Sequence, residues 1–369
     1  MRTEILKIIE GGLSKNPEKV RSYAGLLSEK LRAEGDERFA DRIVALINNK
    51  SSNSHLVYLD EFSSVPVDQD SRINMVDIWF PNGDKIDLVL PNSTHRRVEE
   101  YIAYLEHRSE FIRKGLELPE SLLMYGPPGC GKTTIAHFIS QKIKLPLLTA
   151  RLDGVVSSLL GSTAKNIRRI FEYANERPCI LFLDEFDAVA KARNDDSEVG
   201  ELKRVVNSLL QNMDVYNQNN ILVAATNHEQ LLDPAVWRRF SNVIEVAMPD
   251  ATEISQLIRV FLRDVECDFI DNPTKMANAA QALAGSSPSD IRVVCYSAVR
   301  DMVLAEKSFV TYATFMRRVG INFGKKADRE DLVGFLHLYG VSQADISRIM
   351  AVSMRQVRNI LELKQRGVK

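Results

Sequence analysis

Gly126-Pro127-Pro128-Gly129-Cys130-Gly131-Lys132-Thr133 fits the pattern G-x-x-x-x-G-K-[ST]. Glycines at these spacings let backbone N–H groups curl round phosphate oxygens, and a helix start behind them adds a favourable dipole. Lys132 is then expected to reach the β- and γ-phosphates, and Thr133 to offer its hydroxyl to Mg²⁺. Gly126 to Thr134 are the candidate ATP-binding residues. Two acids, Asp184 and Glu185, follow the apolar run Ile180–Leu183. Buried strands do not tolerate unpaired carboxylates, so acids at a strand tip beside such a loop suggest a metal site. Asp184 is expected to hold Mg²⁺ through water, and Glu185 to polarise the attacking water as general base. Asn227 ends another apolar run and is placed to orient that water, although a strand-terminal Asn is by itself usually a turn former. Arg238 and Arg239 lie in Leu232-Asp233-Pro234-Ala235-Val236-Trp237-Arg238-Arg239-Phe240. Paired surface arginines are normally solvated. Here they are expected to reach a neighbouring subunit's γ-phosphate and supply transition-state charge in trans.

The elements that must position these groups are legible as alternation. Between Thr94 and Asp250, helix-like stretches separate the short apolar runs Ser121–Tyr125, Leu145–Leu148, Cys179–Leu183, Ile221–Ala225 and Val243–Val246. That pattern predicts an α/β fold, a mostly parallel sheet with crossover helices. The phosphate-binding pattern has the required context, an apolar run before it and a helix-like stretch, Thr134–Ile143, after it.

Around this centre the chain divides into further segments. Residues 1–52 show helical spacing, with Gly11-Gly12 and Gly35-Asp36 as breaks, and are expected to dock a partner or cap the centre. Residues 53–93 hold two apolar runs, Val76–Phe80 and Lys85–Leu90, around Pro81-Asn82-Gly83-Asp84, which predicts a β-hairpin in a linker, a small β module or an edge addition to the next domain. Residues 94–250 are expected to form the α/β domain, 251–322 an all-helical lid, and 323–369 a separate C-terminal unit.

Composition excludes several classes. The chain has 369 residues, 45% of them hydrophobic and 26% charged, which is ordinary for a globular protein of two or three domains. No apolar run has membrane-spanning length, and the N-terminus lacks a signal-peptide core, so a cytoplasmic location and no membrane partner are expected. Cys130, Cys179, Cys267 and Cys295 are too widely spaced for a metal cluster and are read as reduced thiols. A net charge of −1 gives no global attraction to nucleic acid.

Together these residues resemble the AAA+ ATPases, and within them the AAA clade of protein-remodelling enzymes. The resemblance runs from about Ile102 to Val319. Ala164–Phe171 is similar to the helix after the first pore loop, Val205–Leu210 to the helix before sensor 1, and Ala225-Thr226-Asn227 to sensor 1. Leu232–Phe240 is similar to the arginine-finger segment and Gly285–Ile291 to the sensor 2 region of the lid. The resemblance implies a P-loop NTPase sheet followed by a helical lid, with ATP and Mg²⁺ bound between subunits of a homo-oligomer, usually a hexamer. It also implies ATP-driven movement of loops in a central pore. The chain departs from the family pattern twice. Leu159-Leu160-Gly161 stands where an aromatic residue commonly leads the pore loop, and leucine gives less contact area than a ring. Pro288 stands where the clade usually has glycine.

The C-terminal segment carries a second signal. Asp331–Leu338, the stretch from Ser342 to Met350, and Met354–Leu363 are expected to be three helices, with Ala351-Val352-Ser353 a tight turn. Ile346, Ile349, Val352, Val357, Ile360 and Leu361 resemble the apolar skeleton of a helix-turn-helix. In that motif the third helix enters the major groove, where Arg355, Gln356, Arg358 and Asn359 would face bases or phosphates. From Lys325 to Lys369 there are nine Lys/Arg and five Asp/Glu, a local balance of +4. Docking of a protein is the competing reading of these helices. The sequence therefore predicts an oligomeric, Mg²⁺-dependent ATPase that remodels or unfolds a protein partner. The alternative is a DNA-associated ATPase acting in regulation, mobile-element biology or defence.

Overall fold

The computed structural model describes residues 5–9, 17–33, 37, 40, 43, 65–67, 74–81, 83, 85–114, 120–152, 160–190, 199–216, 220–323 and 328–366. Six strands form one sheet: β1 (Val76–Trp79), β2 (Ser121–Tyr125), β3 (Leu147–Ala150), β4 (Ile180–Leu183), β5 (Ile221–Thr226) and β6 (Asn242–Glu245). Their spatial order is β1-β3-β4-β5-β2-β6. The five strands β3 to β6 and β2 run parallel to one another, whereas β1 pairs antiparallel with β3 on the edge.

Central strands β4 and β5 are buried at every position. This is what continuous apolar runs produce when helices cover both faces of a parallel sheet. Successive side chains then enter opposite cores. Leu181, Leu183, Leu222 and Ala224 pack on one face with helices α4 (Leu160–Asn175) and α5 (Val199–Val215). Ile180, Phe182, Ile221 and Val223 pack on the other with α2 (Asn92–Glu106) and α3 (Lys132–Ile143). Near the N-terminus, helix α1 (Pro17–Ala33) places Leu27 and Leu31 in a small cluster with Ala40, Ile8 and Ile43. The breaks at Gly11-Gly12 and Gly35-Asp36 lie outside the described residues.

The hairpin expected across Asn82-Gly83 is not formed: Val76–Trp79 pairs with Leu147–Ala150 of the main sheet, and residues 85–91 carry no strand pairing. The second run is apolar for another reason. Leu90 is buried against α2 and α3, while Leu88 packs against that core and Val89 against the C-terminal helices. Asp87 forms an ion pair with Arg263, joining this run to the helices that follow the sheet.

Those helices are α6 (Ala251–Phe261), α7 (Pro273–Ala282), α8 (Pro288–Leu304), α9 (Tyr312–Phe323), α10 (Arg329–Leu338), α11 (Gln343–Met350) and α12 (Met354–Arg366). Capping boxes begin α6, from Asp250 and Glu253, and α8, from Ser287 and Asp290. Pro288 occupies the first turn of α8, where a missing N–H leaves no intrahelical bond unmade.

The last three helices are not a separate unit. One apolar core runs from Ile254 and Leu257 through Phe315 and Val319 to Leu336, Ile346, Val357 and Leu361. Gly320 lets α9 approach α10 closely, because a Cβ there would overlap Leu332 and sit 2.9 Å from Phe335. The end of α10 is tied back twice: Tyr339 O accepts from the Tyr312 hydroxyl at 2.7 Å and from Asn278 Nδ2 at 3.2 Å. Among the described residues no helix is long and apolar enough to cross a membrane.

Candidate active site

The C-terminal tips of β2, β4 and β5 carry the loop at 126–131, Asp184-Glu185 and Asn227, so parallel pairing alone brings the three segments to one edge of the sheet. The loop leaves β2 with Gly126 at φ 145°, Gly129 at 77° and Gly131 at 95°, a backbone that side chains with a Cβ rarely adopt. Gly131 caps α3 in the left-handed conformation, and Lys132 begins the helix. Lys132 is 6% exposed, and its ammonium donates to Gly126 O at 2.7 Å and Pro127 O at 2.9 Å. Burial lowers its pKa from the ordinary lysine value, while Cys130, Asp184, Asp187 and Glu229 oppose that shift.

Thr133 Oγ1 donates to Asp184 Oδ2 at 2.8 Å. A hydroxyl and a carboxylate converging beside the loop form an all-oxygen donor set of the kind Mg²⁺ prefers, so the residues fit that ion. Glu185 holds φ 49°, which is uncommon for any residue but glycine and costs about 1–2 kcal/mol. The turn is secured by Glu185 N–H donating to Asp184 Oδ1 at 2.9 Å and Phe186 N–H donating to Ala225 O at 2.9 Å. Its result is an exposed Glu185 side chain lining the cleft next to Asp184. Asn227 lines the same cleft. The strand tip before it is fixed by Thr226 Oγ1, which donates to Asp187 Oδ1 at 3.1 Å and accepts from His228 N at 3.0 Å.

The cleft encloses about 480 Å³ between the sheet edge and the C-terminal helices. Pro128 to Thr134 form its floor, Leu88, Val89, Leu257 and Phe261 supply apolar lining, and Arg292 reaches it from α8. A volume of this size with an apolar end and a phosphate-binding end suits a nucleoside triphosphate. Ser289 N–H donates to Gly129 O at 3.2 Å, so α8 touches the loop directly. Sequence reasoning missed Asp87, Leu88, Val89, Leu257, Phe261 and Arg292. Arg292 stands one residue beyond the motif that was read, and the apolar residues carry no signal separating them from core.

Arg238 and Arg239 do not line this cleft. Arg239 O accepts from Ser121 Oγ at 2.9 Å, which puts it beside the first residue of β2, whereas the loop leaves the last. Four residue steps along a strand separate those ends by roughly 13 Å. Arg239 is also engaged on its own chain. Its Nε and Nη2 each donate at 2.8 Å to the two Asp214 oxygens, and Nη1 donates to Ala235 O at 2.9 Å. Arg238 is exposed at the end of the short helix Pro234–Trp237. Nothing in the sequence pattern linked Asp214 to Arg239.

Of the remaining expected residues, Leu159 lies outside the described residues, while Leu160 and Gly161 open α4. Arg355, Arg358 and Asn359 are exposed on α12. Gln356 is placed differently from expectation: its side-chain oxygen accepts from Ser353 N at 2.9 Å and Ser353 Oγ at 3.1 Å, so it caps the helix instead of facing outward freely.

The family described as ATPase family associated with various cellular activities (AAA) matches residues 122–248. A Sinorhizobium fredii chain called Uncharacterized AAA family ATPase y4kL is 38% identical over 237 residues, covering 64% of this chain and 70% of that relative. The ATP-dependent zinc metalloprotease FtsH of Parabacteroides distasonis is 33% identical over 232 residues, 61% of this chain but only 34% of the relative. The proteasome-activating nucleotidase of Methanopyrus kandleri is 28% identical over 273 residues, 72% of this chain and 62% of the relative. Among solved structures, the FIGL-1 AAA domain shares the fold with a TM-score of 0.56 at 21% identity, over 71% of this chain and 90% of that one.

Proposed function

Because the chain belongs to the AAA family of ATPases, binding ATP with Mg²⁺ and hydrolysing it, we propose that it works as a ring-shaped homo-oligomer, a hexamer, that remodels a protein partner. The observation that supports assembly is the position of Arg239, across the sheet from its own chain's phosphate loop. A guanidinium that cannot reach its own nucleotide serves catalysis only from a neighbouring subunit, where it stabilises charge on the transferred phosphoryl group. Lys132 would hold the β- and γ-phosphates, Thr133 and Asp184 would hold the ion, Glu185 would take the proton from the attacking water and Asn227 would orient that water. Bound Mg²⁺ supplies neutralisation of phosphate charge.

Remodelling is supported by the relatives named for proteolysis and proteasome activation, although this chain spans only about a third and under two thirds of their respective lengths. In this reading residues 1–52 select the partner, Leu159-Leu160-Gly161 contacts the polypeptide in the pore, and the helices that follow residue 250 act as the lid.

A mixing experiment tests the trans assignment. Lys132→Ala and Arg239→Ala chains are each expected to be inactive. Mixed in equal amounts they recover about a quarter of wild-type turnover, the share of interfaces pairing an intact loop with an intact arginine. No recovery, with both variants present in one nucleotide-dependent oligomer by light scattering, would sink the assignment. Stimulation of turnover by an unfolded polypeptide tests the remodelling step, and indifference to every polypeptide offered would count against it.

A further inference from the structure

We propose that α10, α11 and α12 form a duplex-DNA reader, with α12 entering the major groove. The inference is independent of the remodelling function.

Geometry comes first. Helix α11 has 8 residues and α12 has 13, joined by the three-residue turn Ala351-Val352-Ser353. That is the helix-turn-helix connection. Ala351 is left-handed at φ 51°, a conformation L-residues adopt rarely. The strained turn is held from both sides. Arg329 Nη2 on α10 donates to Met350 O at 2.8 Å and Ala351 O at 3.1 Å, and Ser347 Oγ donates to Val352 O at 2.5 Å. Ile346, Val352, Val357 and Leu361 are buried, which fixes the angle between the two helices.

The outward face of α12 is then defined by what remains. Met354, Arg355, Gln356, Arg358, Asn359, Glu362 and Leu363 are exposed. Among the described residues no carboxylate pairs with Arg355 or Arg358, so both guanidinium groups stand free on this face. Arginine and asparagine on an exposed second helix are the side chains that read guanine and adenine edges. Glu362 lies one turn further along and has the chemistry to accept from a cytosine amino group.

A second basic surface flanks α11. Lys307, Arg317 and Arg348 line a cleft of about 310 Å³, with Asp301 the acid among its lining residues. Asp301 is committed to Arg318, and Arg348 pairs only loosely with Asp345 at 3.3 Å on an exposed face. Cations beside the first helix of the pair are placed to meet phosphates, which set register without reading sequence. The chain's net charge of −1 makes this clustering local.

The test uses the full chain and a 30-base-pair duplex of random sequence, followed by anisotropy at increasing salt. Binding is expected to weaken linearly in log affinity against log salt. Arg355→Ala/Arg358→Ala is expected to bind roughly 10- to 100-fold more weakly and Lys307→Ala/Arg317→Ala to lower the salt slope by about two, while ATP turnover and melting temperature stay at wild-type values. Asn359→Ala is expected to change the bases enriched by repeated selection from a random duplex pool. Absence of duplex binding at low salt in every nucleotide state overturns the proposal. So does binding that is indifferent to the Arg355→Ala/Arg358→Ala substitution. Selective binding of an acidic polypeptide in place of DNA, lost in the same variant, also overturns it in favour of protein docking.

Discussion

Replacing Gly126 by alanine tests how the phosphate loop is held. Gly126 has φ 145°, and a Cβ there would overlap the Val246 carbonyl oxygen and lie 3.0 Å from its carbonyl carbon. Val246 cannot retreat freely, because it is fully buried and its N–H donates to Tyr125 O at 2.8 Å. Two costs add. Forcing alanine into this backbone region costs about 1–3 kcal/mol. Moving packed backbone out of the overlap costs about 1–3 kcal/mol more. The sum, about 2–6 kcal/mol, is a large part of a typical stability of about 5–15 kcal/mol. At about 2–4 °C per kcal/mol for a domain of this size, melting should fall by about 5–20 °C. The loop can relieve part of the strain by turning outward. That removes the Gly126 carbonyl that accepts from Lys132 at 2.7 Å, so ATP affinity should fall by about tenfold or more, 1.4 kcal/mol. Gly131→Ala is the control, since its Cβ would meet nothing closer than 3.9 Å and bears only the backbone strain. The assays are thermal melting and titration with a fluorescent ATP analogue. A Gly126→Ala chain that melts within about 2 °C of wild type and binds within about twofold refutes the reasoning.

Four further outcomes are expected. Glu185→Gln should keep bound ATP and lose about 10²- to 10⁴-fold in turnover, measured as phosphate release beside filter-retained nucleotide; wild-type turnover would place the base elsewhere. Arg239→Ala should leave ATP affinity unchanged and lower turnover by about 10³-fold or more. Asp214→Asn should shift turnover by only about fivefold, since a partly exposed ion pair is worth about 0.2–1 kcal/mol; a loss as deep as that of Arg239→Ala would show that Asp214 stays on the arginine throughout the cycle. The Arg318 guanidinium, hydrogen-bonded to Asp301, holds that carboxyl below its ordinary value of 3.8. A depressed folded pKa contributes stability present above the unfolded value and lost as pH falls through the folded one. Melting between pH 6 and pH 3 should therefore fall more steeply for wild type than for Asp301→Asn, and equal slopes would refute this.

The nucleotide site was legible because each of its parts is a short polar signal at the tip of an apolar run. Parallel pairing then does the assembly, so reading Ser121–Tyr125, Ile180–Leu183 and Ile221–Thr226 as strands already places Lys132, Asp184, Glu185 and Asn227 on one edge. The hairpin was misread because Lys85–Leu90 is apolar for packing against α2, α3 and the C-terminal helices, and pattern alone does not separate packing from pairing. Pairs distant in sequence left no local trace: Asp214 with Arg239, Asp87 with Arg263, and Ser289 with Gly129 are contacts made by the fold. The C-terminal helices were expected to stand as a separate unit, while the decisive residue was Gly320, whose missing side chain admits Leu332 and Phe335. Gln356 looked like a base reader until Ser353 claimed it.

The contact between Ser289 and Gly129 has a mechanical consequence. It sits near one end of a body whose buried residues continue without interruption from Ile254 to Leu361. Side chains packed to crystal-like density transmit displacement with little give. A small tilt at this bearing therefore sweeps the tip of α12 through a longer arc than it imposes on α8, as any beam pivoted near one end does. On the functions proposed above, the seven helices make an output arm with the nucleotide at its fulcrum, and the duplex held by α12 is what that arm moves.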